Sequence, residues 1–131
     1  MKIYVMHATA FDFINELYKP LQTSELSRIH SLIFPHIASS PIDSKSIIKE
    51  SDLVLAEVSY PSTGMGIELG WADIFSKPIL CVHRSNVRPS SALNFVTTNF
   101  LAYDSPAALA EKVGAWLEGH VAELAATAYK P

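Results

Sequence analysis

Residues 51–84, SDLVLAEVSYPSTGMGIELGWADIFSKPILCVHR, decide the fold of this chain. Within them, Leu53 to Val58 forms a short apolar run rich in branched residues, which predicts a strand buried on both faces. A turn of small residues follows it, residues 66–75 have helical spacing, and residues 78–82 predict another strand. This order of strand, turn, helix and strand is typical of a parallel α/β sheet.

The remainder of the chain alternates strand-like and helix-like segments in the same way. Further strands are predicted at residues 2–6, 31–34 and 100–103, and helices at 12–19, 25–30, 44–50 and 89–96. The helix over 12–19 is expected to stop near Pro20. A final helix opens at Ser105 and Pro106, with serine at the cap and proline at the first position. We therefore expect one domain over residues 1–131, a flavodoxin-like or Rossmann-like three-layer sandwich of the α/β class with a five-stranded parallel sheet.

The composition excludes several classes of function. The chain has 131 residues and a formal net charge of −3, so it lacks the basic surface that binds a nucleic-acid polymer, whereas a small nucleotide is compatible with it. Its one cysteine, Cys81, cannot form an internal disulfide. The five histidines lack the standard spacing of metal ligands, so no metal is expected. Without a secretory N-terminus or an apolar run of about 18 residues, the expected location is the cytoplasm and not a membrane.

A carboxylate, Glu68, follows the turn between the central strand and its helix. In open parallel sheets, ligands bind outside the carboxyl ends of the strands, and residues 61–66 fall there together with the N–H groups of a helix N-terminus. Gly64 and Gly66 would let the backbone approach a ligand closely. Glutamate early in a helix is also favourable without any function, so by its position a structural role is the commoner explanation.

Other proteins of this architecture require residues that the chain lacks. A flavodoxin needs a glycine-containing phosphate loop after its first strand, but residues 7–11 read HATAF. A phospho-receiver domain needs acids where this chain has His7, Ala8, Ser59 and Tyr60. The glycines at 64, 66 and 70 have the wrong spacing for a dinucleotide fingerprint, and the sequence contains no P-loop. Chemistry at the glutamate is the remaining candidate.

The segments DLVLAEV, PSTGMGIELG, KPILC and SSAL resemble the nucleoside 2-deoxyribosyltransferase-like family, and most closely its 2'-deoxynucleoside 5'-monophosphate N-hydrolase branch. The resemblance covers Asp52 to about Leu93. It implies that Glu68 is the nucleophile that attacks the anomeric carbon of the sugar. A carboxylate suits that role, because cleavage of an N-glycosidic bond builds positive charge on the anomeric carbon and the ring oxygen.

The resemblance also implies roles for Ser62, Ser91 and Asp43. The hydrolases carry at Ser62 a serine that contacts the 5'-phosphate, where the free-nucleoside transferases tend to carry an aspartate; the alternative is a serine that stabilises the turn. Ser91 matches a serine that enters the neighbouring subunit's active site, which implies a homodimer, although it also suits the first turn of a helix. Asp43 is the nearest match to the family's catalytic acid, or else the N-cap of the helix at 44–50.

The first loop departs from the family. Hydrolases of this branch usually read Y-F-x-G-S-I-R-G-G there, whereas this chain reads YVMHATAFDF, and only Tyr4 clearly matches. The phosphate site is therefore incomplete. His7, Phe11, Asp12 and Phe13 are expected to shape a pocket for a different base, with His7 able to contact phosphate or base when protonated and the phenylalanines able to stack on a base. Core packing is the alternative for both phenylalanines.

These residues predict a retaining N-glycoside hydrolase that releases the base from a (2'-deoxy)nucleoside 5'-monophosphate, with Glu68 and Asp43 as catalytic residues, water as acceptor and no cofactor. The residues expected to bind substrate are Tyr4, His7, Phe11, Ser62, Gly64, Gly66 and Ser91. Two alternatives stay open: a nucleoside deoxyribosyltransferase that exchanges bases, and a non-catalytic nucleotide-binding module. Glu57, at the end of the central strand, needs a partner if it is buried, and it either orients substrate hydroxyls or pairs locally.

Overall fold

A computed structural model describes residues 1–38 and 40–128 of the chain. Its core is a five-stranded, fully parallel sheet with the strand order β2-β1-β3-β4-β5. The strands are β1 (Lys2–His7), β2 (Ser31–Ile33), β3 (Leu53–Glu57), β4 (Ile79–Arg84) and β5 (Asn99–Tyr103). The predicted α/β sandwich with a five-stranded parallel sheet is confirmed.

Helices cover both faces of this sheet. They are α1 (Lys19–Gln22), α2 (Leu26–Ile29), α3 (Ser44–Glu50), α4 (Thr63–Ile74) and α5 (Pro106–Ala128), with a π-helical turn at Ile14–Tyr18 and a 3₁₀ helix at Ser91–Phe95. Side chains from α5 and α1 pack on the face that carries Leu53 and Leu55, whereas α3 and α4 pack on the face that carries Val54 and Ala56. Because side chains alternate along β3, one buried strand supplies both cores. None of the described helices is both long enough and apolar enough to cross a membrane.

The helix expected to stop near Pro20 does not stop there. The π-helical turn at Ile14–Tyr18 runs directly into α1, in which Pro20 occupies one of the first two positions. The expectation was wrong because the backbone hydrogen bonds change from π to α spacing at this point, so that a new α-helix begins here. The first positions of an α-helix need no backbone N–H donor, and proline is therefore tolerated there.

Two other boundaries differ from the sequence prediction. Helix α4 begins at Thr63, three residues before the predicted start at 66, because Ser62 caps it: its Oγ accepts a hydrogen bond from the Met65 N–H at 3.3 Å. The helix expected over 89–96 is a shorter 3₁₀ helix, Ser91–Phe95. The start of α5 is as predicted, with the Ser105 Oγ accepting a hydrogen bond from the Ala108 N–H at 3.2 Å.

The order of strands creates a switch point at the carboxyl ends of β1 and β3. From β1 the chain crosses to β2 on one side, and it later returns to β3 on the other side. His7 and Glu57 are partners in the register of these two strands and mark the sheet edge where a ligand crevice is expected. The segments that leave this edge, including the N-terminal half of α4, therefore build the candidate site.

Candidate active site

Glu68 and Tyr4 form the centre of the candidate site. Glu68 lies in the second turn of α4 and is half-buried, and its Oε2 accepts a hydrogen bond from the hydroxyl of Tyr4, a side chain of β1 that is only 1% exposed. The two side chains lie at a cavity of about 410 Å³, closed on its other side by the segment between β2 and α3. The remaining lining residues are Pro35, His36, Ala38, Ser40, Pro41, Ile42 and Ser44.

The cavity perturbs the acidity of both side chains. Burial raises the pKa of Glu68, and this rise is opposed by the hydrogen bond from Tyr4 and by the positive charge that His36 carries when protonated. Burial, and then the neighbouring Glu68 carboxylate, raise the pKa of Tyr4 well above its usual range. Tyr4 therefore keeps its proton and acts as a hydrogen-bond donor. It orients one oxygen of Glu68, and no other described residue hydrogen-bonds to this carboxylate.

Ser62 and Gly66 lie on another side of α4. Together with Arg88 they line a second cavity of about 460 Å³, between α4 and the segment that follows β4. Glu68 does not line this cavity, so the structure does not bring Ser62 and Glu68 into one enclosed pocket. Ser62 uses an Oγ lone pair for its cap on Met65, which leaves its hydroxyl hydrogen able to donate to a ligand.

Packing within the chain does not require glycine at positions 64 and 66. Neither residue has a positive φ. A Cβ at Gly64 would come no closer than 4.0 Å to the Ser62 Oγ, and a Cβ at Gly66 would meet nothing within 4 Å. A need for glycine at these positions would therefore come from a ligand or a partner, which is consistent with the predicted close approach.

Asp43 caps α3, as the structural alternative predicts. Its Oδ1 accepts a hydrogen bond from the Ser46 N–H at 3.2 Å, and its Oδ2 accepts one from the Ser46 hydroxyl at 2.7 Å. These bonds lower the pKa of the exposed Asp43 carboxyl. Ser44, the next residue, lines the Glu68 cavity, but Asp43 does not. A catalytic role for Asp43 stays a prediction, and it would require the carboxylate to leave its cap.

His7 is buried and has a hydrogen-bond partner at each ring nitrogen. Its Nδ1 lies 2.7 Å from the Ala8 carbonyl, and its Nε2 lies 2.6 Å from the Tyr18 hydroxyl. Because the Tyr18 oxygen already accepts the His36 N–H at 3.0 Å, Tyr18 donates its own proton to Nε2, and Nδ1 donates to Ala8. Burial lowers the pKa of His7 to about 4. His7 is thus neutral with no spare nitrogen, and its direct contact with substrate stays a prediction.

The two phenylalanines of the first loop pack against the core, and one of them, Phe11, also contacts a residue that lines the second cavity. Both Phe11 and Phe13 pack against the core on the α5 face, which supports the core-packing alternative. Phe13 lies with its ring centroid 4.5 Å from that of His7. Phe11 stacks on Tyr60 at 4.8 Å with an interplanar angle of 19°, and Tyr60 lines the second cavity. Phe11 is half-buried, so part of its ring remains accessible.

Ser91 lies apart from the other predicted site residues. It is the first residue of the 3₁₀ helix, it is exposed, and it lines neither the Glu68 cavity nor the second cavity. The neighbouring Ser90 caps this helix, its Oγ accepting the Ala92 N–H at 3.3 Å. Ser91 therefore does not meet Glu68 within one chain.

Two features of the site escaped the sequence analysis. His36 lies in an irregular segment after β2, where no motif singles out a histidine. The contact between Tyr4 and Glu68 joins residues 64 positions apart, and the sequence shows only that Tyr4 matches the family's first loop. Glu57, which did stand out as a carboxylate at the end of an apolar strand, pairs locally with Ser59 and Tyr103.

Comparisons with curated proteins point to nucleotide N-hydrolases. The chain is 51% identical over 37 residues to the mouse (Mus musculus) 5-hydroxymethyl-dUMP N-hydrolase, which is 28% of this chain and 21% of that protein. It is 32% identical over 80 residues, 57% of this chain and 56% of the other, to a candidate 2'-deoxynucleoside 5'-phosphate N-hydrolase of Thermofilum pendens. The matched part thus spans between about a fifth and about half of these relatives. No family model matches the chain.

Solved structures give the same fold. A CMP N-glycosidase of Clostridium botulinum superposes with a TM-score of 0.61 at 21% identity, covering 87% of this chain and 99% of the other. A 2-deoxyribosyltransferase from Leishmania mexicana superposes with a TM-score of 0.52 at 18% identity, covering 64% and 65% of the two chains. The resemblance to the nucleoside 2-deoxyribosyltransferase-like family is confirmed. In this fold Glu68 lies in the helix that follows β3, as the motif PSTGMGIELG predicts, and it contacts Tyr4 of β1.

Proposed function

We propose that the protein is an N-glycoside hydrolase that cleaves the base from a nucleoside 5'-monophosphate, with Glu68 as nucleophile. The observation that carries this proposal is the Glu68 carboxylate, half-buried at the wall of a cavity of about 410 Å³ and oriented by the Tyr4 hydroxyl. A cavity of this size is in the range of small-molecule sites. The similarity to nucleotide N-hydrolases supports the reaction class.

The proposed reaction has two steps at Glu68. In the first, a carboxylate oxygen bonds to the anomeric carbon while the carbon–nitrogen bond breaks and its electron pair leaves with the base, which gains a proton. In the second, water attacks the anomeric carbon, the ester bond breaks, and the sugar 5'-phosphate is released with Glu68 restored. Tyr4 holds Oε2 throughout and so favours attack by Oε1.

The start of α4 is the proposed phosphate site. Ser62 can donate its hydroxyl hydrogen, Arg88 lines the same cavity, and the N-terminus of a twelve-residue helix attracts an anion. Ser62 and Glu68 are six residues apart, or about 9 Å of helix rise. Because Ser62 and Glu68 line different cavities, this placement requires the sugar phosphate to pass from one cavity to the other along α4, with its anomeric carbon at Glu68.

We also propose that the enzyme is a homodimer in which Ser91 serves the partner's site. Ser91 is exposed and lines neither the Glu68 cavity nor the second cavity of its own chain, which favours a contact with the phosphate bound by a second copy. Large apolar side chains are exposed in the 3₁₀ helix and in α4: Phe95 is 89% exposed, Ile74 80% and Ile67 52%. Burial of these side chains would favour association.

Mixing two variants tests the shared site. Glu68→Gln and Ser91→Ala homodimers are dissociated, mixed and reassociated, and kcat/KM for the monophosphate is compared before and after mixing. If Ser91 acts on the partner's site, each mixed dimer contains one site with both native residues, so activity recovers. A strictly monomeric protein, or no recovery on mixing, contradicts the shared site.

The base is proposed to lie against the first loop. Phe11 is the candidate contact because its stack on Tyr60 leaves part of its ring accessible. Phe11→Ala should change the ranking of bases in a substrate panel, since stacking on a base contributes about 1 to 3 kcal/mol. Phe13→Ala is the matched control, because Phe13 packs on His7. An unchanged ranking in Phe11→Ala would assign Phe11 to the core.

Product analysis tests the proposed function as a whole. Matched nucleosides and 5'-monophosphates are incubated with the wild type and with Glu68→Gln, with and without a second free base. Hydrolysis yields free base and sugar 5'-phosphate, whereas a deoxyribosyltransferase yields an exchanged nucleoside when the second base is present. Binding of a monophosphate without any cleavage would identify a non-catalytic nucleotide-binding module.

A further inference from the structure

His36 faces Glu68 across the cavity and is held there by several contacts. Its backbone N–H donates to the Tyr18 hydroxyl at 3.0 Å, and Tyr18 in turn bonds to His7. The His36 ring lies edge-on to the His7 ring, with centroids 5.1 Å apart, and 5.7 Å from the ring of Phe13. This packing orients the His36 imidazole, although His36 lies in an irregular segment.

The ring nitrogens of His36 are available to a ligand. Neither nitrogen hydrogen-bonds to any residue in 1–38 or 40–128, in contrast to both nitrogens of His7. The titratable groups that face His36 are His7 and Tyr4 of β1, Tyr18 of the π-helical turn and Glu68 of α4. His36 and Glu68 line the same cavity, and a positive charge on His36 would lower the pKa of Glu68.

Among the described side chains that line this cavity, no other is suited to donate a proton to a leaving base. Of the lining side chains, only Tyr4, His36 and Glu68 titrate, and burial keeps the proton on Tyr4. Asp43, the acid expected from the sequence, is bonded to Ser46 outside the cavity. Imidazole is the side chain that exchanges protons most readily near neutral pH.

We propose that His36 is a catalytic residue that protonates the departing base and then deprotonates the attacking water. This assignment rests on the proposed function. In the first step, Glu68 bonds to the anomeric carbon, the carbon–nitrogen bond breaks, and the imidazolium proton moves to the base. In the second, neutral His36 takes a proton from water, the hydroxide bonds to the anomeric carbon, and the bond to Glu68 breaks. One water is consumed, and both residues regain their starting states.

The test compares leaving groups that do and do not need a proton. His36→Gln is assayed on a 5'-monophosphate that the wild type cleaves, and on the same sugar phosphate carrying a pyridinium group, which leaves as neutral pyridine. Loss of a general acid should lower kcat/KM for the ordinary base by about 10²-fold or more and should leave the pyridinium substrate nearly unaffected. His120→Gln, which replaces a histidine of α5 outside both cavities, is the matched control and should resemble the wild type on both substrates. Asp43→Asn is assayed beside it as the competing candidate for the acid.

Any other outcome contradicts the proposal that His36 protonates the departing base. Equal losses of His36→Gln on both substrates would show a structural role, and no loss on either would exclude proton transfer by His36. A selective loss in Asp43→Asn would identify Asp43 as the acid. If His36→Gln folds poorly, imidazole added to His36→Ala should restore cleavage of the ordinary base, and a lack of rescue contradicts the proposal. If the wild type cleaves neither substrate, the proposed function itself fails.

Discussion

Glu57 and Glu68 are two carboxylates at the same end of the sheet, but on opposite faces of it. Glu57 is 1% exposed on the face covered by α5, and it accepts hydrogen bonds from the Ser59 N–H at 2.5 Å, the Ser59 hydroxyl at 3.0 Å and the Tyr103 hydroxyl. Glu68 is half-buried on the face covered by α4, with a single donor and a cavity in front of it.

The difference shows how a fold separates a structural acid from an acid available for chemistry. Three donors occupy most of the acceptor sites of Glu57 and tie the turn after β3 to β5 through Tyr103, and burial keeps this carboxylate away from a ligand. Glu68 keeps an oxygen without an internal donor. Burial raises the pKa of Glu68, which makes its ionised form reactive toward developing positive charge.

The largest expected effect is the loss of activity in Glu68→Gln. Removal of the nucleophile should lower kcat/KM by on the order of 10³-fold or more, about 4 kcal/mol of transition-state stabilisation. Stability should hold or rise at pH 7. The raised pKa means that the stabilising contribution of Glu68 is present at low pH and is lost as pH rises through its folded-state value. Initial rates and urea unfolding measure the two effects; substantial residual base release would refute the nucleophile assignment.

For Glu57→Ala, in contrast to Glu68→Gln, the main expected effect is a loss of stability. Truncation leaves the buried donors of Ser59 and Tyr103 without an acceptor, which should lower the free energy of unfolding by about 3 kcal/mol. Glu25→Ala is the control, because Glu25 forms only an exposed pair with Arg28 and should change stability by less than about 1 kcal/mol. If Glu57→Ala were as stable as Glu25→Ala, Glu57 would not be a structural carboxylate, and the contrast with Glu68 would be wrong.

His7, on the same face as Glu57, should make stability depend on pH. Because burial lowers its pKa to about 4 from the ordinary 6.5, the unfolded chain binds the additional proton between these values. Stability is therefore greatest above about pH 6.5 and falls toward pH 4, with His7 accounting for about 2 kcal/mol between pH 7 and pH 5. Urea midpoints of wild type and His7→Gln at both pH values provide the measurement. A variant that keeps the full pH dependence would exclude His7 as its source.

The smallest expected effect distinguishes Ser62 from Asp43, which each cap a helix. Ser62→Ala and Asp43→Ala each remove an N-cap and should each cost about 1 kcal/mol of stability. Only Ser62→Ala should also weaken use of the monophosphate relative to the free nucleoside, by about 1 to 3 kcal/mol for a lost charge-assisted hydrogen bond. The ratio of kcat/KM values for the two substrates is the readout. A matching change in Asp43→Ala would show that helix capping, and not phosphate contact, sets the preference.

Some of the site was predictable because its signals are local. The strand at Leu53–Glu57, the turn and the helix of Glu68 follow from composition and spacing between neighbours in sequence. Proline gave the wrong signal at Pro20, since the π-helical turn before it depends on how Leu17 and Tyr18 pack into the core. Asp43 had two local explanations, and the bond of its carboxylate to Ser46 shows that it caps α3, while its catalytic role stays a prediction.

The sequence by itself determined the class of fold, the place of Glu68 after a buried strand, and the departure of the first loop from the family. These are properties of residues close together in the chain, where the spacing of apolar and small residues is sufficient. Tertiary structure alone decided that Tyr4 holds Glu68, that Glu57 is buried and bonded to Tyr103, and that His36 rather than Asp43 lines the cavity. Those contacts depend on strand order and on which face each helix covers, and local spacing carries no information about either.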